Sequence, residues 1–172
     1  MKVKTSKEKL LEYIREELEN ILQEFRNTIK TKNFLEELIS EQLQEANLES
    51  MRTFHSDIRN NFIDTGERHE GSPVFAMKFP DDCRVEFVYD ISGDVVPMVY
   101  LVYIQTIGDH CFREGYATET MEEFLKIVDK NNLATLLQID SFGKMSDEDL
   151  RRWYYSFGFD RYGEDMLKRQ AR

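Results

Sequence analysis

Ile107-Gly108-Asp109-His110-Cys111-Phe112-Arg113-Glu114-Gly115-Tyr116-Ala117-Thr118 is the stretch whose reading decides the fold. A strongly apolar run, Val95 to Ile107, breaks at Gly108, crosses a short polar loop and meets Gly115 just before a helical pattern begins. The spacing predicts a strand, a loop and a helix start. Such a junction aims several unpaired backbone N–H groups at one spot and adds the positive end of a helix dipole, which makes it an anion site. Gly115 lets a bound group approach the backbone closely.

Upstream of this junction the sequence alternates as strands do. Val74 to Phe79 reads as one strand, Pro80-Asp81-Asp82 as a turn, Cys83 to Tyr89 as a second strand and Asp90 to Asp94 as a further turn. Val95 to Ile107 is the third and most apolar strand, so it belongs centrally in an antiparallel meander. Residues 66 to 73, Gly-Glu-Arg-His-Glu-Gly-Ser-Pro, read as a loop.

Downstream, a helix over Ala117 to Asn131 carries Met121, Phe124, Leu125 and Val128 as its buried stripe. Leu133 to Ile139 is apolar without alternation, as in a strand covered on both faces. Following a crossover helix, it should run parallel to the strand before that helix. Ser146 caps a helix from Asp147 to about Phe157, with acids in its first turn and Arg151-Arg152 later, the charge order a helix dipole prefers. Gly158 closes it, and Phe159 to Leu167 holds one or two short final strands.

The first 60 residues read as three amphipathic helices. Ser6 caps the first, with Leu10, Leu11, Ile14, Leu18, Leu22, Phe25 and Ile29 on one face; Tyr13 and Ile21 widen that stripe. Asn33 and Glu36 resemble a capping box for a second, which continues through Phe34, Leu35, Leu38, Ile39 and Leu43 to Ala46. Leu48, Met51, Phe54, Ile58 and Phe62 share the face of a third. These helices are either a self-association module or a cover for the sheet. Their stripes are wider and less regular than a coiled-coil seam, which favours the cover. The expected organisation is a helical region over residues 1–65 and an α/β core over 66–172.

Length and charge bound the function. The 172 residues suffice for one domain with a substantial core, and 41% hydrophobic content excludes wholesale disorder. No apolar run is long enough to span a bilayer, and Met1-Lys2-Val3-Lys4 does not open a secretory signal. Cys83 and Cys111 match no metal or redox spacing and read as free thiols in a reducing, cytoplasmic setting. The net charge is -10; residues 1–60 hold 10 Lys+Arg against 12 Asp+Glu, leaving 13 against 21 for the rest. Direct nucleic-acid binding is therefore disfavoured, whereas a basic partner or cationic substrate would be attracted; the plainer reading is an acidic surface that keeps the chain soluble.

Other constellations carry little chemistry. His69-Glu70 lacks the second histidine a zinc protease needs, and His55 and His110 have no metal partners by spacing. No metal is expected.

Two motifs carry a resemblance. Phe112-Arg113-Glu114-Gly115-Tyr116-Ala117 is similar to the Arg/Gln-x-x-Gly-x-Gly/Ala acyl-CoA loop of the GNAT N-acetyltransferase superfamily, and Tyr154 precedes Gly158-Phe159 as a tyrosine does in that family's late helix. The order of strands, loop, helix, parallel strand and helix over residues 72–170 resembles the same family. Phe112 stands at the family's usual Arg/Gln position, with Arg113 one residue later.

The resemblance implies an α+β fold: a GNAT-like mixed, mostly antiparallel sheet flanked by helices, here with an N-terminal helical extension. It implies acetyl-CoA as cofactor, with Phe112, Arg113, Glu114, Gly115, Tyr116, Ala117 and Thr118 at its pyrophosphate and Thr106 and Ile107 pairing with its pantetheine arm. It also implies direct transfer of an acetyl group to an amine, on a protein lysine, an N-terminus or a small polyamine. Tyr154 is the candidate acid toward the departing thiolate, or else an aromatic packed on the sheet. Glu86 is the candidate base, or else a solvated strand residue. The alternative function is a non-catalytic GNAT-fold protein that binds and blocks a basic partner, in one version by imitating nucleic acid. A homodimer is compatible with either.

Overall fold

A computed structural model describes residues 6–92, 97–140 and 145–172, with side chains on the first helix described from Arg15 onward. The chain resolves into two compact units, Met1–Glu45 and Ala46–Arg172.

The N-terminal residues form one helix, α1 (Ser6–Asn61), rather than three. No Gly or Pro interrupts these 56 residues. Where the sequence suggests a cap at Asn33, the backbone hydrogen bonds simply continue. Thr28 and Thr31 turn their hydroxyls back to the carbonyls of Glu24 and Asn27, each at 3.0 Å, and so compete for no cap. Lys32 and Glu36 pair across one turn at 3.8 Å. The expected cap at Ser6 and the side chains of Leu10, Leu11, Tyr13 and Ile14 lie outside the described residues. In the first unit the apolar stripe is exposed: Leu18, Ile21, Leu22, Phe25, Ile29, Leu35, Ile39 and Leu43 all face solvent. Within the second unit, the last four turns of α1 supply cover for the sheet through Phe54 and Ile58, joined by Phe62 just beyond the helix.

The second unit is built on a seven-stranded sheet of order β1-β2-β3-β4-β5-β7-β6. Its strands are β1 (Ile63–His69), β2 (Ser72–Lys78), β3 (Arg84–Ser92), β4 (Met98–Ile107), β5 (Ala134–Gln138), β6 (Asp160–Arg161) and β7 (Met166–Arg169). Two further helices, α2 (Tyr116–Lys130) and α3 (Asp147–Ser156), complete it. All neighbouring strands are antiparallel except β4 and β5, the pair joined through the crossover helix α2. The fold is α+β and GNAT-like.

Three local readings need correction. The segment read as a loop over residues 66–73 is mostly a β-hairpin, since β1 runs to His69 and turns at Glu70-Gly71, both with positive φ, into β2. As an edge strand with nearly every residue exposed, β1 has no buried face and hence no alternation for the sequence to display. The turn placed at 90–94 does not include Asp90 to Ser92, which still pair with β4; residues 93–96 lie outside the described residues. The two cysteines are not free. Cys83 and Cys111 form a disulfide, because the β3–β4 register sets Arg84 opposite Ile107 and so brings the residues beyond both strand ends together.

The core lies between the sheet and the helices. Phe54 of α1 meets Tyr89 and Phe124 edge to face, and Phe87 meets Phe124 the same way, so α1 and α2 cover one sheet face. Met121, Phe124, Leu125 and Val128 are all buried, as the stripe predicts. A side chain of Phe size buried this fully contributes about 2–3 kcal/mol.

Candidate functional site

β4 leaves an opening in the sheet. It pairs with β5 only from Met98 to Leu101, against Ala134 to Leu137. From Tyr103 to Ile107 it remains bonded to β3 on its other side but meets no strand on the β5 side among the described residues. The β3–β4 register slips between Val88 and Tyr89, which leaves Val102 as an extra residue at the point where β4 parts from β5. A strand edge with unpaired N–H and C=O groups thus faces a gap, and Thr106 and Ile107 are its far end.

The loop that follows ends at the start of α2. A single 3₁₀ turn, Asp109–Cys111, leads through Phe112 to Arg113 at φ 73°, and Gly115 takes the N-cap position at φ 85°. Both are left-handed positions, which is why a glycine suits the second. No side chain caps α2. Glu119 N–H reaches Gly115 O at 3.0 Å, so the amides of Tyr116, Ala117 and Thr118 are the ones left for an incoming acceptor. A methyl group placed on Gly115 would meet nothing within 4 Å, so the space before the helix is open. Arg113 and Glu114 are exposed, Phe112 is half-buried, and the ring of Tyr116 stacks on Phe79 at 4.3 Å.

α3 is tied to this helix start. Trp153 Nε1 donates to Thr118 Oγ1 at 3.1 Å, while its ring packs against the core. Tyr154, next in sequence, is buried against Phe159 and Trp153. Burial pushes its hydroxyl pKa up to about 12, so the phenol stays protonated across the neutral range. The structure therefore gives Tyr154 both an aromatic packing role and a neutral O–H.

Glu86 sits elsewhere. It lies between Ala76 and Gln105 on β3, and strand alternation sets it on the sheet face opposite Phe87 and hence opposite α2. It is 5% exposed rather than solvated, with its Oε1 2.8 Å from Arg84 Nη2 but not aligned as a hydrogen bond. Burial first, and the charges of Glu86 and Glu67 second, raise the pKa of Tyr103 on the same face. The loop, the β4 edge and α3 thus form one neighbourhood, and Glu86 belongs to the other side of the sheet.

No family model matches the chain, and no curated protein matches it. Solved structures with a similar course include AtaTR bound with AcCoA, 12% identical over 58% of this chain and 68% of that one, at a TM-score of 0.40. They also include the KacTA–DNA complex, 12% identical over 72% of this chain and 80% of that one (TM-score 0.44). A third is the Bacillus subtilis N-acetyltransferase YlbP with coenzyme A, 14% identical over 58% and 68% (TM-score 0.38). Strand order, the parallel β4–β5 pair, the uncapped α2 start and the tyrosine of α3 together make this a GNAT-like fold.

Proposed function

We propose that this chain is an acyl-CoA-dependent N-acetyltransferase acting on an amine. The observation that carries the reading is the opening of β4 from β5 beside an uncapped helix start, because the two together match an extended arm that ends in a pyrophosphate. The amides of Tyr116, Ala117 and Thr118 would hold the diphosphate, with Gly115 leaving room for its approach. Thr106 and Ile107 would pair with the amide-bearing arm as an added strand. When bound, acetyl-CoA supplies an activated acyl group as a thioester.

The residues then supply positioning and proton management. Tyr154, neutral and buried beside Trp153, is assigned the proton for the departing thiolate. The proton lost by the amine is left to water, because Glu86, the base expected from the sequence, lies on the opposite sheet face. The net charge of -10 favours a cationic acceptor, a protein amine or a polyamine, over an anionic one.

Calorimetric titration with acetyl-CoA tests the binding step. Ala117→Glu adds a carboxylate in the first turn of α2, where the dipole favours it, so the fold should keep its stability while an anionic ligand is repelled. Binding by the wild type and at least tenfold weaker binding by the variant is the expected result. No binding by the wild type at millimolar cofactor would sink the enzyme reading.

A second reading concerns association, and the exposed stripe of α1 favours it. Leu18, Ile21, Phe25, Leu35 and Ile39 occupy successive first and fourth heptad positions, with Thr28 and Lys32 as a polar layer between them. The occupant is assigned as a second copy of α1 running antiparallel. Parallel pairing would set Lys32 against Lys32, whereas antiparallel pairing sets it against Thr28 and within reach of Glu24 of the second copy.

A further inference from the structure

The structure assigns a thiol-dependent metal site to Cys83, Cys111 and His110, beyond any acyl-transfer role and independent of it: with the disulfide reduced, these three residues bind one zinc ion. Their ligand atoms all lie within 4.8 Å of one another. Three separate features make this more than proximity.

The first is the histidine. His110 Nε2 lies 3.0 Å from the carbonyl oxygen of Asp81. A carbonyl can only accept, so Nε2 carries the hydrogen and Nδ1 of the neutral ring keeps its lone pair. A metal-binding imidazole is held in this way, with the other nitrogen donating to a backbone carbonyl.

The second is the glycine beneath it. A methyl group on Gly108 would come within 2.8 Å of Cys111 Sγ and 3.7 Å of His110 Nδ1. The sulfur and the free nitrogen therefore face the same small space, which a side chain at 108 would fill. Gly108 has φ 101°, which favours glycine there.

The third is the pair of cysteines. Their Cα atoms are 5.6 Å apart, and both side chains are almost fully buried while His110 is exposed. At that separation side-chain rotation alone permits either a bond between the sulfurs or two thiolates on one ion. Two sulfurs and one imidazole suit zinc rather than magnesium or calcium, and the exposed side leaves a fourth position for water.

The chemistry balances. A cellular dithiol gives two electrons and two protons to the Cys83–Cys111 bond, yielding two thiols and the reagent's own disulfide. Zinc then displaces the two thiol protons and binds the two thiolates and Nδ1. Disulfide and ion are alternative clasps on the end of β4, one residue before Phe112.

The test uses the full chain, reduced with a water-soluble phosphine, freed of metal and titrated anaerobically with cobalt(II) and then zinc(II). Expected are one cobalt per chain with thiolate-to-cobalt charge-transfer absorption, its displacement by zinc, and no such absorption from the oxidised chain. His110→Ala leaves both thiols and should weaken binding at least tenfold; Cys83→Ser should abolish the charge-transfer signal. Absence of the absorption, binding undiminished in His110→Ala, or a disulfide that resists phosphine in the folded chain by alkylation and mass measurement would each overturn the assignment.

Discussion

The indole of Trp153 donates to the hydroxyl of Thr118 across 3.1 Å, so the middle of α3 holds the first turn of α2 in place. That turn carries the amides offered to an anion, and the bond positions them without occupying them. Replacing Thr118 by its isostere Val should cost about 1 kcal/mol in urea unfolding, and Trp153→Phe, which also removes ring packing against Tyr154 and Phe157, should cost more. The double variant should cost less than the sum, because both changes remove one bond. Calorimetry should show weaker acetyl-CoA binding in both single variants; unaltered binding would separate the α3 contact from the site.

Asp129 and Arg169 form the chain's most enclosed ion pair among the described residues, with bidentate contacts of 2.6 and 2.7 Å and Arg169 only 5% exposed. Arg169 also donates from Nε to Phe157 O at 2.9 Å, joining α2, β7 and the end of α3. Burial alone would raise the Asp129 pKa, but the Arg169 bonds, the Arg172 backbone N–H and the two positive charges outweigh it and hold the carboxyl below its usual range. A depressed folded pKa gives stability that is complete above the unfolded value of about 3.9 and is lost as the pH falls through the lower folded value. Asp129→Asn should cost about 3 kcal/mol at pH 7, since it leaves the arginine buried and unpaired. The cost should shrink as the medium is acidified below pH 4. An equal cost at pH 7 and pH 3 would refute the pairing as its cause.

What the sequence shows of this molecule follows from which signals are local. The stripe Met121-Phe124-Leu125-Val128 and the first four residues of β5, Ala134 to Leu137, are set by neighbours in sequence, and both are buried as their patterns require. The Gly115 cap and the Ser146 cap are equally local, and Ser146 Oγ accepts from Asp149 N–H at 3.2 Å. By contrast, Cys83 and Cys111 are 28 residues apart and meet only through the β3–β4 register, which spacing cannot reveal. Trp153 and Thr118 are likewise 35 residues apart. At Asn33 the failure is of another kind: the residues of a cap are present, but no helix-breaking neighbour makes use of them. His110 reads as a lone histidine until the turn at Asp81 supplies its carbonyl.

Tyr154 offers a sharper test of chemistry than of fold. Removing its hydroxyl in Tyr154→Phe keeps the ring against Phe159, so unfolding should change little. If the phenol supplies the proton, kcat should fall about a hundredfold while the KM for acetyl-CoA stays the same. With its pKa pushed up to about 12, no loss of rate below about pH 10 should come from this group. Its preference for the neutral form adds stability that is present below the unfolded value of about 10 and declines above it. An unchanged kcat would leave Tyr154 a core residue only.

The stripe on α1 predicts the state of the whole chain in solution. Phe25 is 66% exposed and Leu35 51%, values that an amphipathic helix keeps only when something else covers it or when it stays monomeric at a cost. Antiparallel pairing about the Thr28–Lys32 layer sets Phe25 against Leu35 and Ile21 against Ile39, so these four large residues meet one another. Sedimentation equilibrium should give a dimer at micromolar concentration. Phe25→Glu should shift it to monomer without altering the near-ultraviolet spectrum of the second unit. Lys32→Glu separates the two directions of pairing. In a parallel dimer it merely exchanges one like-charge layer for another, but in the antiparallel one it sets the introduced carboxylate against Glu24 of the second copy and should weaken association about tenfold. A dimer indifferent to Lys32→Glu would exclude the antiparallel arrangement, and a wild-type monomer would exclude the second copy altogether.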